Sequence, residues 1–299
     1  MRKKPVSGQL RIVLSSIVVA ALLLSGCNQT NSTPQTGDTP IPSPADTVPR
    51  PSHVVIVVEE NKAFSQIIDN PDAAYLNQLA DQGALFDDAH GVTHPSQPNY
   101  LALFSGSTQA VTDDSCPHSF SALNLASELR QAGYTFATYS QSLPEAGYTG
   151  CGSGAYARKH NPAVNWQSAN VQPDQNLPFD AFPDLFDALP TVSLVIPDLS
   201  HDMHDGSVET ADRWLEQNLS RYVQWAYTHN SLLIVTWDED DNSHDNHIPT
   251  IFVGPMVKAG RYSFRIDHYA VLRTIEAMYG LPALGESAKA AVIADVWKP

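Results

Sequence analysis

With 299 residues, 42% of them hydrophobic, the chain is long enough to bury the core of one large domain or two modest ones. Its formal charge of −15 weighs against a nucleic-acid backbone as the main partner. An anionic ligand would meet a local field of its own sign unless a bound cation reversed it.

Arg2, Lys3, Lys4 and Arg11 precede an apolar run, residues 12–24, that ends in Leu24-Ser25-Gly26-Cys27. A basic start and a short apolar run closing on small residues predict a secretory signal over residues 1–26, too short for a membrane span. The cleavage site has the form of a bacterial lipobox, with Cys27 as the lipidated first residue. An ordinary signal peptide with an incidental cysteine is the alternative. Loss of the signal removes four basic residues and no acidic one, which deepens the charge to −19. Residues 28–50 are polar and rich in Pro and Thr, the composition of a disordered tether. The expected location is therefore exported, on the bacterial cell envelope, held to a membrane by the lipid. Cys116 and Cys151 remain. In an exported chain they predict a disulfide, worth about 3–4 kcal/mol by loop closure, with two buried thiols as the alternative.

Residues 53–58, HVVIVV, predict a strand buried on both faces. Helical patterns follow over 72–83, 97–105 and 121–132, then strands over 134–139 and 192–196. A long amphipathic helix is expected over 207–228, strands over 231–237 and 250–253, and a last helix over 267–279, stopped by Gly280 and Pro282. Strands alternating with helices predict an α/β fold, a mainly parallel sheet sandwiched by helices. In such sheets ligands bind beyond the carboxyl ends of the strands. The residues there are Glu59-Glu60-Asn61, then Asp198 to Asp202 with His201, then Asp238-Glu239-Asp240-Asp241. Three acidic clusters on one edge repel each other, and a bound cation would relieve that.

Ser96 opens the pattern Ser96-Gln97-Pro98-Asn99-Tyr100, at the start of an expected helix with proline in its first turn. A plain N-cap serine is one explanation. The other is a nucleophile at a helix N-terminus, where amides bind phosphate oxygens and a metal lowers the hydroxyl pKa.

Four stretches together resemble one family. They are residues 53–70 with Glu60-Asn61 after the strand, Thr93-His94-Pro95-Ser96-Gln97-Pro98-Asn99-Tyr100, Asp202-Met203-His204-Asp205-Gly206, and Trp237-Asp238-Glu239 leading to Asn246-His247-Ile248-Pro249. The chain resembles the bacterial phosphoesterase family of metal-dependent acid phosphatases and phospholipases C, a branch of the alkaline phosphatase superfamily, over about residues 53–285. The resemblance implies an alkaline phosphatase-like catalytic domain over 51–299. It implies Ser96 as nucleophile through a phosphoseryl intermediate, and Glu60, Asn61, Asp238 and Glu239 as ligands of at least one divalent ion, Ca, Mg, Mn or Zn. An active-site histidine is expected at His204 or His201, His204 being the better matched. His247, Asp202 and Asn99 are further candidates. His94 is expected to orient the nucleophile or organise its turn. His268 is expected to cap the last helix, and Lys159-His160 to be exposed loop charge rather than a phosphate site. The implied activity is hydrolysis of phosphate monoesters. The rivals are a phospholipase C-like phosphodiesterase and a non-catalytic surface lipoprotein. A sulfatase is disfavoured because Ser96-Gln97-Pro98-Asn99-Tyr100 lacks the arginine that a sulfatase nucleophile turn carries.

Overall fold

Residues 53–58 carry almost no polar interruption because the strand they form lies inside a sheet, between two parallel neighbours. The computed structural model describes residues 48–167 and 169–299. The expected signal peptide, Cys27 and residues 28–47 of the expected tether lie outside the described residues.

In chain order the strands are β1 (His53–Glu59), β2 (Ala84–His90), β3 (Phe136–Ser140), β4 (Gly152–Ser153), β5 (Tyr156–Ala157), β6 (Asn176–Pro178), β7 (Val192–Ile196), β8 (Ser231–Trp237), β9 (His247–Val253), β10 (Gly260–Tyr262) and β11 (Ile266–Asp267). The α-helices are α1 (Phe64–Ile67), α2 (Ala74–Gln82), α3 (Ser96–Ser105), α4 (Leu125–Gln131), α5 (Val208–Ala226) and α6 (His268–Tyr279). The main sheet runs β10-β2-β9-β8-β1-β7-β3-β6, with β11 also on β2. Every pair is parallel except those of β9, which runs against both β2 and β8. Helices α2 and α5 pack on each other, as do α3 and α4 on α6, and the two groups flank the sheet. Among the described residues no helix is long and apolar enough to cross a membrane.

The single reversal at β9 has a positional consequence. It returns β2 to the direction of β1 and β8, so the C-terminal end of β2 reaches the same edge as theirs. From there a short loop delivers Ser96. Sequence reasoning assigns no strand to 84–90, because Asp87 and Asp88 interrupt the apolar pattern. Those two residues sit half-buried where the register with β9 shifts. The helix expected over 121–132 begins only at Leu125, where the Asn124 side chain accepts Ser127 N at 2.9 Å. Helix α2 has no cap of its own. Asp212 of α5 instead accepts Tyr75 N at 3.0 Å and Leu76 N at 2.8 Å, placing a carboxylate at the positive end of the helix. The expected disulfide is present, Cys116–Cys151, with Cα atoms 5.9 Å apart.

Candidate active site

Glu60 follows the last residue of β1, and its side chain is buried. Asn61 has φ +46°, the left-handed region that asparagine tolerates better than most residues. That turn lets the Asn61 amide donate to Asp238 Oδ1 at 3.2 Å, while the Asp238 amide donates to Glu59 O at 3.0 Å. The ends of β1 and β8 are thus laced together, which places Glu60, Asn61, Asp238 and Glu239 around one point. Ser96 Oγ lies there: 3.1 Å from Glu60 Oε2, 3.3 Å from Glu239 Oε1 and 3.4 Å from Asn61 Oδ1. A hydroxyl has one proton and cannot satisfy three acceptor oxygens at once.

Ser96 is the first residue of α3, and Pro95 holds the cap position. The serine therefore does not cap the helix, and its hydroxyl faces the carboxylates. The amide after it is not free for a phosphoryl oxygen either. Gln97 N donates to Asp114 Oδ1 at 2.9 Å, and Pro98 has no N–H. The expectation that the amides following Ser96 form an anion hole is corrected accordingly. The turn itself is fixed by Asn99, whose Oδ1 accepts Val92 N and Thr93 N at 2.9 and 3.0 Å and whose amide donates to Thr93 O at 2.7 Å. Asn99 is wholly occupied in this way. Asn246 docks the turn to the loop after β8, accepting Asp240 N at 2.8 Å and donating to Thr93 O at 3.0 Å. Gly91 permits the approach, since a Cβ there would fall 2.6 Å from Asn246 Nδ2.

Two further groups complete the cluster. His94 Nδ1 is 2.6 Å from Glu239 Oε2 and lines an open cleft of about 530 Å³ with Thr93, Asn242 and Arg265. On the other side His160 is 1% exposed, with Nε2 3.2 Å from Glu60 Oε2 and Nδ1 3.2 Å from Asp202 Oδ2. The Tyr100 hydroxyl donates to Glu60 Oε1 and stacks its ring on His160. His160 is thus no exposed loop charge. A short 3-10 turn, Arg158–His160, buries it, and Arg158 N ties that turn to the disulfide at Cys151 O, 3.1 Å away. Its nearness to a paired cysteine was the one signal that the segment is fastened down.

The charges are costly where they stand. Burial, then repulsion from Asp238 and Asp202, raises the pKa of Glu60 far above the usual carboxylate range. Burial, then Glu239, does the same to Asp238. Burial pushes Asp202 and Glu239 each up to about 7. Burial lowers His160 well below the usual histidine range and keeps its imidazole neutral. Asp238 Oδ2, Asp202 Oδ2 and His160 Nε2 are buried without a hydrogen bond. Unpaired buried polar atoms cost roughly 1–3 kcal/mol each. Ligand atoms of Glu60, His160 and Asp202 also lie within 4.8 Å of one another. Clustered buried acids, a neutral imidazole and orphaned lone pairs fit a divalent cation.

The other candidates lie around this centre. His204 Nδ1 contacts Asp205 Oδ1 at 2.7 Å, and its ring lies 5.6 Å from that of His160. His201 is tied to Asp198 Oδ1 at 2.9 Å and Gln141 at 3.0 Å, and its ring stacks on Trp214. Of the two, His204 borders the cluster, its amide also donating to Asp202 Oδ1 at 2.8 Å. His247 binds the Asp87 carbonyl through Nε2 at 2.8 Å and stacks on Phe64, away from the acids. His268 does not cap α6, because Asp267 does so through Ala270 N at 2.9 Å. His268 Nε2 instead holds the Asp238 carbonyl at 2.7 Å, pinning the loop that carries the acids.

Fold and site define a class. A protein in the alkaline phosphatase superfamily from Vibrio parahaemolyticus superposes with a TM-score of 0.59 at 13% identity, covering 82% of this chain and 71% of that one. The phosphonate monoester hydrolase of Silicibacter pomeroyi gives 0.57 at 11%, covering 81% and 76%. These likenesses show the fold, that of the alkaline phosphatase superfamily. The chain belongs to the Phosphoesterase family, which it matches over residues 68–282. A phosphatidylinositol-3-phosphatase of Mycobacterium tuberculosis is 49% identical over 283 residues, 94% of this chain and 92% of that protein. A phosphate-repressible acid phosphatase of Penicillium chrysogenum is 31% identical over 227 residues, 70% of this chain. The chain spans about half the length of the fungal acid phosphatases it matches, 55% in that case. Membership makes the chain a hydrolase of phosphate esters.

Proposed function

We propose that the chain is a metal-dependent phosphomonoesterase in which Ser96 attacks phosphorus and carries the phosphoryl group for part of the cycle. The observation that supports this best is the Ser96 hydroxyl set within 3.4 Å of Glu60, Asn61 and Glu239. Glu60, Asn61, Asp238 and Glu239 would hold a divalent ion, with His160 and Asp202 beside them. When bound, the ion supplies a lowered hydroxyl pKa and charge to offset the phosphoryl oxygens. Ser96 forms the Oγ–P bond as the ester P–O bond breaks, and its proton passes to a neighbouring carboxylate. His204, on the rim next to His160, returns a proton to the leaving oxygen. His201 is placed less well for that task, because its ring packs on Trp214 while that of His204 lies 5.6 Å from His160. Water then attacks the phosphoserine, releasing phosphate and restoring the hydroxyl.

The mycobacterial relative carries the name of a phosphatidylinositol-3-phosphatase. A phosphomonoester on an inositol lipid is therefore the first substrate to try, and a lipid on Cys27 would hold the domain at the surface where such a headgroup lies. The test is Ser96→Ala, with wild-type metal content verified, assayed on p-nitrophenyl phosphate and on phosphatidylinositol 3-phosphate. A loss of roughly 1,000-fold or more is expected on both. Turnover within a few-fold of wild type would sink the assignment of Ser96.

A further inference from the structure

We infer that Lys159 grips the phosphoryl oxygens of the substrate and that Asp114 positions it. This rests on the assignment of Ser96 as the attacking group. The Lys159 side chain is about one-fifth exposed, on the rim of the cluster, and follows Arg158 in the turn that buries His160. Its Nζ donates to Asp114 Oδ2 at 3.0 Å and to His204 Nε2 at 3.2 Å. The other oxygen of Asp114 accepts the amide of Gln97, the residue after Ser96, at 2.9 Å. One carboxylate therefore sets the ammonium and the start of the nucleophile helix relative to each other. The Cys116–Cys151 bond fastens the two segments that carry this pair, and Arg158 N donates to Cys151 O at 3.1 Å.

The chemistry requires such a group. A phosphate monoester is a dianion, and it approaches a centre lined by Glu60, Asp114, Asp202, Asp238 and Glu239. The amide at Gln97 is already used, so the helix start offers less than it would elsewhere. Two neighbouring cations are committed to structure. Arg158 donates to the carbonyls of Thr149 and His118 and to Asn165 Oδ1. Lys62 donates to the carbonyls of Asn61 and Met203, at 3.2 and 2.9 Å. Lys159 alone among these three contacts only a carboxylate and a histidine at the rim, partners that an anion can replace. Its turn toward the phosphoryl group would also free His204 Nε2 for the leaving oxygen.

The experiment measures inhibition by inorganic phosphate, and the KM and kcat for p-nitrophenyl phosphate, in wild type, Lys159→Met and Lys159→Arg. Calorimetric titration of phosphate into Ser96→Ala and Ser96→Ala/Lys159→Met accompanies it. A charge-assisted contact predicts phosphate binding weakened roughly 10- to 100-fold by methionine. Arginine should retain most of it, and the double variant should lose it relative to Ser96→Ala. Unchanged phosphate affinity in Lys159→Met, or an equal loss with arginine, overturns the inference. The calorimetric arm involves no turnover, so a failed nucleophile and a failed anion site give different results. If the methionine variant does not fold, the arginine variant decides: phosphate affinity more than 10-fold below wild type in a folded protein counts against the proposal.

Discussion

Buried carboxylates occur in two regions of this molecule, and they are treated in opposite ways. Glu276 of α6 is fully buried, yet both its oxygens are served: Leu284 N donates to Oε1 at 2.9 Å, Ser287 Oγ lies 2.8 Å from Oε2, and Arg273 Nη1 reaches Oε2 at 3.5 Å. Burial raises its pKa to about 7, with those hydrogen bonds opposing the rise. At the edge of the sheet, Glu60, Asp202, Asp238 and Glu239 crowd one another, and Asp238 Oδ2 and Asp202 Oδ2 make no aligned hydrogen bond, although His160 Nδ1 lies 3.2 Å from the latter. The first arrangement is self-sufficient and serves the fold. The second leaves repelling acids and unpaired lone pairs together, a cost that the proposed metal site would account for.

The contrast breaks most visibly at Asp238. Asp238→Asn should lower activity on the order of 100-fold or more, because on the proposed reading it weakens a ligand rather than a neighbour of one. It should also raise the melting temperature of chelated protein, since one of several repelling acids becomes neutral. A variant less stable than wild type in chelator would show that the crowding is no burden.

A second measurement follows stability against pH with and without metal. In chelated protein, Asp202 and Glu239 have folded pKa values of about 7, against roughly 4 in an unfolded chain. Their contribution is therefore complete below pH of about 4 and is lost as pH rises through about 7. A cation displaces those protons, so its stabilising increment should grow from pH 5 to pH 8. It should reach about 3 kcal/mol at a hundredfold excess over Kd. An increment that stays flat across that range counts against a metal bound by these acids.

The smallest effect lies at the self-sufficient carboxylate. Ser287→Ala removes donors from Glu276 and should cost about 1–3 kcal/mol by thermal or denaturant unfolding. Turnover of the surviving folded protein should match wild type. A fall in turnover would mean that the two regions are not independent.

Much of the site was legible because parallel strands announce their own ends. The runs 54–58 before Glu59-Glu60 and 232–235 before Asp238 are apolar, since β1 and β8 are buried on both faces, and the acids that follow them stand out. Ser96 was legible from its own pattern, yet the strand that delivers it was not. Asp87 and Asp88 break the alternation of β2 at an irregular point that pattern counting cannot distinguish from a loop. His160 was hidden for a different reason. Its burial depends on a 3-10 turn and a covalent tie between distant segments, and neither has a periodicity to detect. His268 illustrates a third limit. Its place in sequence suggests a helix cap, while its ring reaches across 30 positions to hold the Asp238 carbonyl.

The left-handed backbone at Asn61 restricts the alphabet at that position before any ligand preference acts. A branched or bulky side chain there would strain the main chain, and glycine would relax it but bring no donor oxygen. Asparagine and aspartate are the residues that accept the geometry and still present an oxygen. Which atom type faces the serine is in this sense decided by the handedness of one peptide turn.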